Sequence, residues 1–400
     1  MIYAAVLGYG TVGSGVVEAI HTNKEKLKKA AGDEIAVRYI LDLRDFEGDP
    51  FENLVVHDFS VIENDPEVSI VVETMGGIHP AYEFTMAALK KGKSVCTSNK
   101  ALVADCGYEL MQTAKANNCS YFFEASCGGG IPVIRALTTS LAGEEILEIT
   151  GILNGTTNYI LTRMADEGSA FSEVLADAQA LGYAEKDPTA DVEGHDACRK
   201  IAILISLALG KRVDFKDIYT EGISRITPED ITTAKALGGR IRLLAGAKVT
   251  DHGLEAMVAP YMVGKDSPLY GVNDVFNAVF VRGNILGDSM FYGRGAGKLP
   301  TASAVVGDVL ECAKTLGKHA SFGWDDEKPE MTAKDGIVNR FLVRIPDAYA
   351  ARAAEVFPGI VFADSGIFEQ CAFITEEMTE KDFEQAFASL GPNASRIRVK

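Results

Sequence analysis

Short apolar runs alternate with amphipathic stretches over the first third of the chain. Residues 3–7 read as a strand that leads into glycines and then into a helical pattern over about 12–29. Further β-rich runs follow at 35–41, 69–73, 94–97 and 120–124, with helical spacing over about 80–91 and 107–117 between the later ones. Strand, helix, strand in repetition predicts a parallel sheet covered by helices on both faces, the doubly wound α/β arrangement of a Rossmann-type domain.

From about residue 146 the texture changes. A strand is expected at 148–153, then helices at 157–166, 172–181 and 195–209, then antiparallel-looking runs at 254–261 and 275–284 with Gly and Asp at their turns. This block reads as α+β. The glycine-rich run from Tyr292 to Gly297 interrupts the chain, and 301–316 reads as one long helix. A polar, proline-containing stretch at 324–334 then leads into a strand (340–345), a helix (348–356), two strands (360–363 and 370–375), a helix (380–390) and a last strand (396–399). That βαββαβ order describes a small ferredoxin-like module.

Composition narrows the class. The 400 residues carry 39 Lys+Arg against 56 Asp+Glu, a formal net charge of −17, which argues against a nucleic-acid or anionic-membrane partner. The most apolar helical stretch, 201–209, is far below the ~20 residues needed to span a bilayer. Seven cysteines with no CxxC pair read as free thiols in a reducing compartment, so a cytoplasmic protein is expected. The second hundred is the most acidic, with 6 basic and 15 acidic residues.

Gly8-Tyr9-Gly10-Thr11-Val12-Gly13 is a GxGxxG run that follows a strand and opens a helix. Its glycines allow a tight turn and close approach of a pyrophosphate, seated on the helix N-terminus. The second strand ends with Asp42 and Arg44 close together. An acid there favours NAD through the ribose 2′-hydroxyl and an arginine favours NADP through the 2′-phosphate, so either cofactor stays open. Lys100 follows the fifth strand, at the carboxyl edge where open α/β sheets bind ligands. Glu124 to Pro132 ends the next strand in a glycine run whose freed carbonyls could bind a hard cation. Asn154 to Tyr159 sits at a strand-to-helix junction, where its small polar groups serve either a polar substrate or a helix cap.

The densest polar cluster runs from Gly182 to Lys200. Asp196 and Lys200 stand four apart and share a helix face. The helix continues Ile201-Ala202-Ile203-Leu204-Ile205, apolar all round, so the pair is expected to be buried. A lysine entering a buried helix among carboxylates can serve as acid or base.

The residues from Ala178 to Lys200 fit the pattern A-x3-G-Y-A-x2-D-P-x2-D-V-x-G-x-D-x3-K, and the chain resembles the homoserine dehydrogenases over about its first 320 residues. The resemblance also covers the GxGxxG run, Asn99 to Ala104, Glu124 to Pro132, Asn154 to Tyr159 and Arg294 to Asp308. It implies reversible NADP- or NAD-dependent oxidation of L-homoserine to L-aspartate 4-semialdehyde, a branch step in threonine, methionine and isoleucine synthesis. It implies Lys200 as general acid–base, with Lys100 assisting and Asp196 shaping the pocket. Glu185, Asp191, Gly155 and Thr156 would meet the substrate. Gly8, Gly10, Thr11, Val12, Gly13, Arg44, Thr74, Lys100, Gly295 and Gly297 would meet the cofactor. Glu124 with the carbonyls of Cys127, Gly129 and Ile131 matches a structural sodium site. The implied domains are 1–130 for the dinucleotide (completed by about 292–322), 131–291 for substrate and dimerisation, and 335–400 as an ACT-like module. A homodimer or homotetramer is expected.

Two other readings fit less well. Aspartate-semialdehyde dehydrogenase needs a nucleophilic Cys with a His partner, and no such pairing is visible around Cys127. A nucleotide-sensing regulator without turnover would not need Lys100, Asp196 and Lys200 together. The ACT-like module lacks the glycine of the usual Asp-x-Pro-Gly turn, reading Pro346-Asp347-Ala348-Tyr349-Ala350 in its place. Threonine inhibition is therefore expected to be weak or absent; a threonine titration of turnover checks this, and strong cooperative inhibition contradicts it.

Overall fold

The computed structural model describes residues 1–320 and 322–400. They form two compact units: Met1–Glu144, Ala202–Asp214 and Gly293–Lys328 make the first, and Glu145–Ile201, Phe215–Tyr292 and Pro329–Lys400 make the second.

The first unit holds six strands, β1 (Ile2–Leu7), β2 (Ile35–Leu41), β3 (Val55–Val56), β4 (Val68–Glu73), β5 (Ser94–Thr97) and β6 (Tyr121–Phe122). They pair in parallel in the order β3-β2-β1-β4-β5-β6, which reverses direction between β1 and β4. Near-continuous apolar strands such as Ile2–Leu7 are what a sheet buried on both faces requires. Ala4, Val6, Ile70 and Val72 pack with Val16, Val17 and Ile20 of the helix Thr11–Thr22, and with Val305 and Val309 of the helix Lys298–Lys314. Gly15 permits the close approach of those two helices, since a Cβ there would stand 2.9 Å from the Lys298 carbonyl oxygen.

Several boundaries differ from the periodicity, among them the helix expected over 107–117, which begins at Lys100. The pattern over 12–29 is two helices, Thr11–Thr22 and Lys24–Ala31, because Asn23 leaves helical geometry between them. The strand expected at 120–124 stops at Phe122, and the chain enters a tight turn at Glu124–Ser126. The late helix starts at Lys298, with Gly297 at φ 122° immediately before it.

The second unit holds β7 (Ile146–Ile152), β8 (Tyr219–Thr220), β9 (Gly239–Thr250), β10 (Gly253–Gly264), β11 (Phe276–Gly283), β12 (Gly287–Arg294, whose last two residues fall in the first unit), β13 (Val338–Pro346), β14 (Ala363–Asp364), β15 (Gln370–Ile374), β16 (Met378–Thr379) and β17 (Ser395–Val399). The main path is β12-β11-β7-β9-β10-β17-β13-β15-β14. β17 lies parallel to β10 through Tyr261 opposite Arg398 and Met262 opposite Val399, so one sheet runs unbroken into the C-terminal module. Within the module the order β17-β13-β15-β14 is the ferredoxin-like one that the βαββαβ pattern predicts.

Among the described residues, no helix is long and apolar enough to cross a membrane. The module's core gathers Phe341, Val343, Ile345, Phe357, Phe373, Phe383 and Leu390, with the Phe341 and Phe383 rings stacked 3.6 Å apart. Phe383→Ala is expected to destabilise the protein by about 3–5 kcal/mol, read by denaturant unfolding.

Candidate active site

The first unit builds its part at the carboxyl ends of β1, β4 and β5. Gly8, at φ 90°, turns the chain out of β1, and the loop is then tied down on three sides. Gly8 N donates to the Leu41 carbonyl at 2.7 Å, Tyr9 N to Asp42 Oδ2 at 2.8 Å, and Thr74 Oγ1 to the Leu7 and Gly8 carbonyls at 3.0 and 2.9 Å. A Cβ on Gly13 would stand 1.9 Å from the Gly8 carbonyl oxygen, whereas one on Gly10 would meet nothing within 4 Å. Gly13 is thus required by the loop's own packing. Gly10 leaves open space at the N-terminus of the helix that Thr11 and Val12 begin, the geometry of an anion cradle.

Asp42 and Arg44 form a fork, Nε to Oδ1 and Nη2 to Oδ2, both at 3.0 Å. The Arg44 guanidinium beside it, with the Tyr9 amide, holds the Asp42 carboxyl down at about 2 against the cost of burial. Arg44 also lies 5.0 Å over the Phe46 ring.

Lys100 opens the helix Lys100–Ala116, and its position is set by a buried network that sequence reasoning missed. Glu73, fully buried at the end of β4, accepts from Thr97 Oγ1 at 2.5 Å and from Met75 N at 2.7 Å. Thr97 Oγ1 accepts from Asn99 N, and Asn99 Oδ1 caps the helix by accepting from Leu102 N at 3.1 Å. The signal was present: an acid closing an otherwise apolar strand, with burial now raising its pKa.

Gly295 lies against the other glycine loop, and Gly297 precedes the helix Lys298–Lys314. A Cβ on Gly129 would come within 2.3 Å of the Gly295 carbonyl oxygen, and Gly130 N donates to the Arg294 carbonyl at 3.1 Å. Cys127 and Ile131 are buried there. The Glu124 carboxylate accepts from Ile134 N at 2.9 Å and Arg135 N at 2.7 Å. Asp308 accepts from Glu124 N at 2.8 Å and from Arg135 Nη2 at 2.6 Å. Burial, and then the charge of Glu124, push Asp308 up to about 8. No group of three or more His, Cys, Asp or Glu able to hold a metal occurs among the described residues; the expected cation set offers one such side chain, Glu124, and otherwise carbonyls.

The second unit assembles the polar cluster expected of the signature. Lys200, 8% exposed on the helix His195–Leu209, donates from Nζ to Asp196 Oδ2 at 2.7 Å and to the Leu153 carbonyl at 2.8 Å. Asn154 caps the helix Gly155–Glu167, its Oδ1 accepting from Thr157 N at 2.9 Å. Its Nδ2 donates to Asp191 Oδ1 at 2.7 Å and Asp196 Oδ2 at 2.8 Å. Asn154 is therefore both cap and anchor, and one residue joins Asp191, Asp196 and Lys200. Thr156 Oγ1 donates to the Tyr183 carbonyl at 2.6 Å, tying the signature's turn to the same helix end. Glu185 remains exposed on that turn, outside this cluster's hydrogen bonds.

Asn277 was also missed. It is fully buried on β11, neither amide atom has a hydrogen-bond partner among the described residues, and a Cβ on Gly155 would stand 3.6 Å from its Oδ1. Nothing in the alternation of β11 distinguishes it.

Residues 8–124 match the family model described as the NAD binding domain of homoserine dehydrogenase, and residues 132–310 match the model described as homoserine dehydrogenase. A homoserine dehydrogenase of Bacillus subtilis is 43% identical over 320 residues, covering 79% of this chain and 73% of its own. The crystal structure of a homoserine dehydrogenase from Thiobacillus denitrificans superposes with TM-score 0.89 at 34% identity, covering 100% of this chain and 98% of that one. A hyperthermophilic archaeal homoserine dehydrogenase in complex with NADPH gives TM-score 0.67 at 29% identity, over 78% of this chain and 97% of that one.

The two glycines separate loop packing from ligand space. Gly13→Ala is expected to lower the melting temperature of the cofactor-free protein, while Gly10→Ala leaves it unchanged; both are expected to weaken NAD(P)H binding at least tenfold in a fluorescence titration.

Proposed function

The chain belongs to the homoserine dehydrogenase family, and we propose that Lys200 is the acid–base of its reaction, on the strength of the buried Leu153–Lys200–Asp196–Asn154 network. The enzyme is an NAD(P)-dependent oxidoreductase that interconverts L-homoserine and L-aspartate 4-semialdehyde.

The residues present fit a dinucleotide. The open space at Gly10, the positive φ of Gly8 and the helix N-terminus at Thr11 form a cradle for a pyrophosphate. Thr74 acts on this cradle through the Gly8 carbonyl, and Val12, Gly13, Lys100, Gly295 and Gly297 complete the assigned set. Asp42 suits a ribose 2′-hydroxyl and Arg44 a 2′-phosphate, so the cofactor is assigned as NADP or NAD. When bound, the nicotinamide supplies or accepts the hydride.

The proton is the protein's part of the work. Homoserine's hydroxyl proton leaves to Lys200 Nζ as the carbinol is oxidised, and Nζ returns it to the aldehyde oxygen in the reverse direction. Asp196 and the Leu153 carbonyl hold Nζ in one place, which keeps the proton transfer short. Asp191 and Glu185 are assigned to the substrate ammonium, Gly155 and Thr156 to the neighbourhood of the substrate, and Lys100 to assisting the transfer. Glu124 and the carbonyls of Cys127, Gly129 and Ile131 are assigned to a sodium ion. The Arg135 guanidinium pairs with Asp308, whereas the buried Glu124 carboxylate meets the backbone amides of Ile134 and Arg135, which leaves it available to a monovalent cation. The active form is taken to be a homodimer or homotetramer in the cytoplasm.

Homoserine with NAD and NADP in parallel, followed by reduced nicotinamide absorbance, tests the activity and ranks the cofactors. Lys200→Ala is expected to lower kcat by about 10²–10⁴-fold while NADPH binding persists; unchanged turnover refutes the assigned role.

A further inference from the structure

The family models end at residue 310, yet the last strand of this chain reaches into the substrate unit's polar interior. Arg398 on β17 is 0% exposed. Its Nε and Nη2 donate to Glu380 Oε1 and Oε2 at 2.6 and 2.8 Å, and its Nη1 donates to Glu221 Oε2 at 2.8 Å. Arg396 Nη1 lies 3.4 Å from both Glu221 oxygens. Burial alone would raise the pKa of Glu221; Arg398 and Arg396 hold it below its usual value. The carboxylate of Glu221 thus depends for its charge on two cations from the C-terminal module.

Glu221 belongs to a short segment that touches the signature directly. Tyr219 and Thr220 pair with Met257 and Val258 of β10, and Glu221 N donates to the Val258 carbonyl at 2.8 Å. Ile223 N donates to the Val192 carbonyl at 2.8 Å. Gly222 lies so close that a Cβ would stand 2.3 Å from the Val192 carbonyl oxygen and 2.5 Å from the Glu193 Cα. Val192 follows Asp191, which the Asn154 amide ties to Asp196 and Lys200. A second anchor fixes the same module: Asp230 Oδ1 accepts from Arg344 Nη2 at 2.8 Å and Ser395 Oγ at 2.6 Å.

We propose that Glu221 and Arg398 are positioning residues for the substrate pocket: the C-terminal module, through β17, clamps the 219–223 segment against Val192 and Glu193 and so fixes Asp191 where the substrate's ammonium binds. The inference rests on the reading of Asp191 given above. It makes the module a working part of the substrate site whether or not it takes an effector. Because the contacts act on binding geometry and leave the Lys200–Asp196 pair in place, their loss is read in the Michaelis constant for homoserine.

Removing Arg398 strips the buried Glu380 carboxylate of its arginine and endangers folding, so the test uses Glu221→Gln, which keeps size and removes charge, and Gly222→Ala, which wedges the segment off Val192. Each is expected to raise the KM for homoserine about tenfold, the loss of one well-placed polar contact, with kcat within about twofold and the KM for NADPH unchanged. Phe357→Leu loosens the module's core from a segment that carries none of these hydrogen bonds and is the control for general destabilisation. An unmoved homoserine KM in both variants, or an equal rise in Phe357→Leu, overturns the inference. Asp191→Asn and Lys200→Ala run alongside: an unmoved KM in the first or unmoved turnover in the second strikes the underlying site assignment, so the two failures are told apart.

Discussion

A lysine ammonium carried into an apolar helix must find acceptors, and much of the second unit answers that demand. The helix His195–Leu209 buries Ile201 to Ile205 and brings Lys200 in with them. An isolated charge in such surroundings would be neutralised or drawn back to water. Asp196, one turn earlier, supplies the countercharge, and the end of β7 supplies the Leu153 carbonyl. Asn154 then becomes obligatory, since Asp196 Oδ2 must be held toward Lys200 and Asp191 toward Asp196. A residue whose type and position read as an ordinary helix cap turns out to organise three ionisable groups.

The same rule recurs wherever charge is buried, with different partners. Arg398 is held by a bidentate carboxylate and a second acid, the arrangement that best repays desolvation of a guanidinium. Arg242 is as deeply buried but donates to neutral acceptors, Thr162 Oγ1, the Tyr270 carbonyl and Asn273 Oδ1, and burial pulls it down to about 10. At Asp308 the Arg135 guanidinium closes the pair, and Glu124 is met by backbone amides. The overall charge of −17 therefore resolves into local accounts, closed by arginines at some sites and by backbone amides at others.

Local chemistry was legible in the sequence where it imposes spacing. GxGxxG after an apolar run marked the loop that Gly8 and Gly13 build, because glycine takes the φ of 90° at Gly8 without strain and no side chain fits the 1.9 Å approach at Gly13. The i, i+4 relation of Asp196 and Lys200 survived into the structure as a 2.7 Å pair. What stayed hidden was long-range. Glu73, Thr97 and Asn99 come from two strands and a loop, and only the sheet brings them together. Asn277 has no local signature at all. The break at Asn23 and the early stop of β6 are decided by the residue ending each turn, which periodicity averages away.

The C-terminal module shows most clearly what a domain boundary drawn from composition leaves out. The polar stretch at 324–334 separates two patterns along the chain, and the βαββαβ order beyond it is complete in itself. The backbone of β17 nevertheless continues the sheet from β10, and its arginines serve an acid that lies outside the module, at residue 221. Pairing of backbone edges carries no sequence requirement, so hydropathy cannot announce it. Two arginines at alternate positions of a terminal strand can, because alternation places both on one face and a buried face with two cations requires acids opposite. Covering the β10 edge and neutralising Glu221 are then one structural solution, carried by a single five-residue strand.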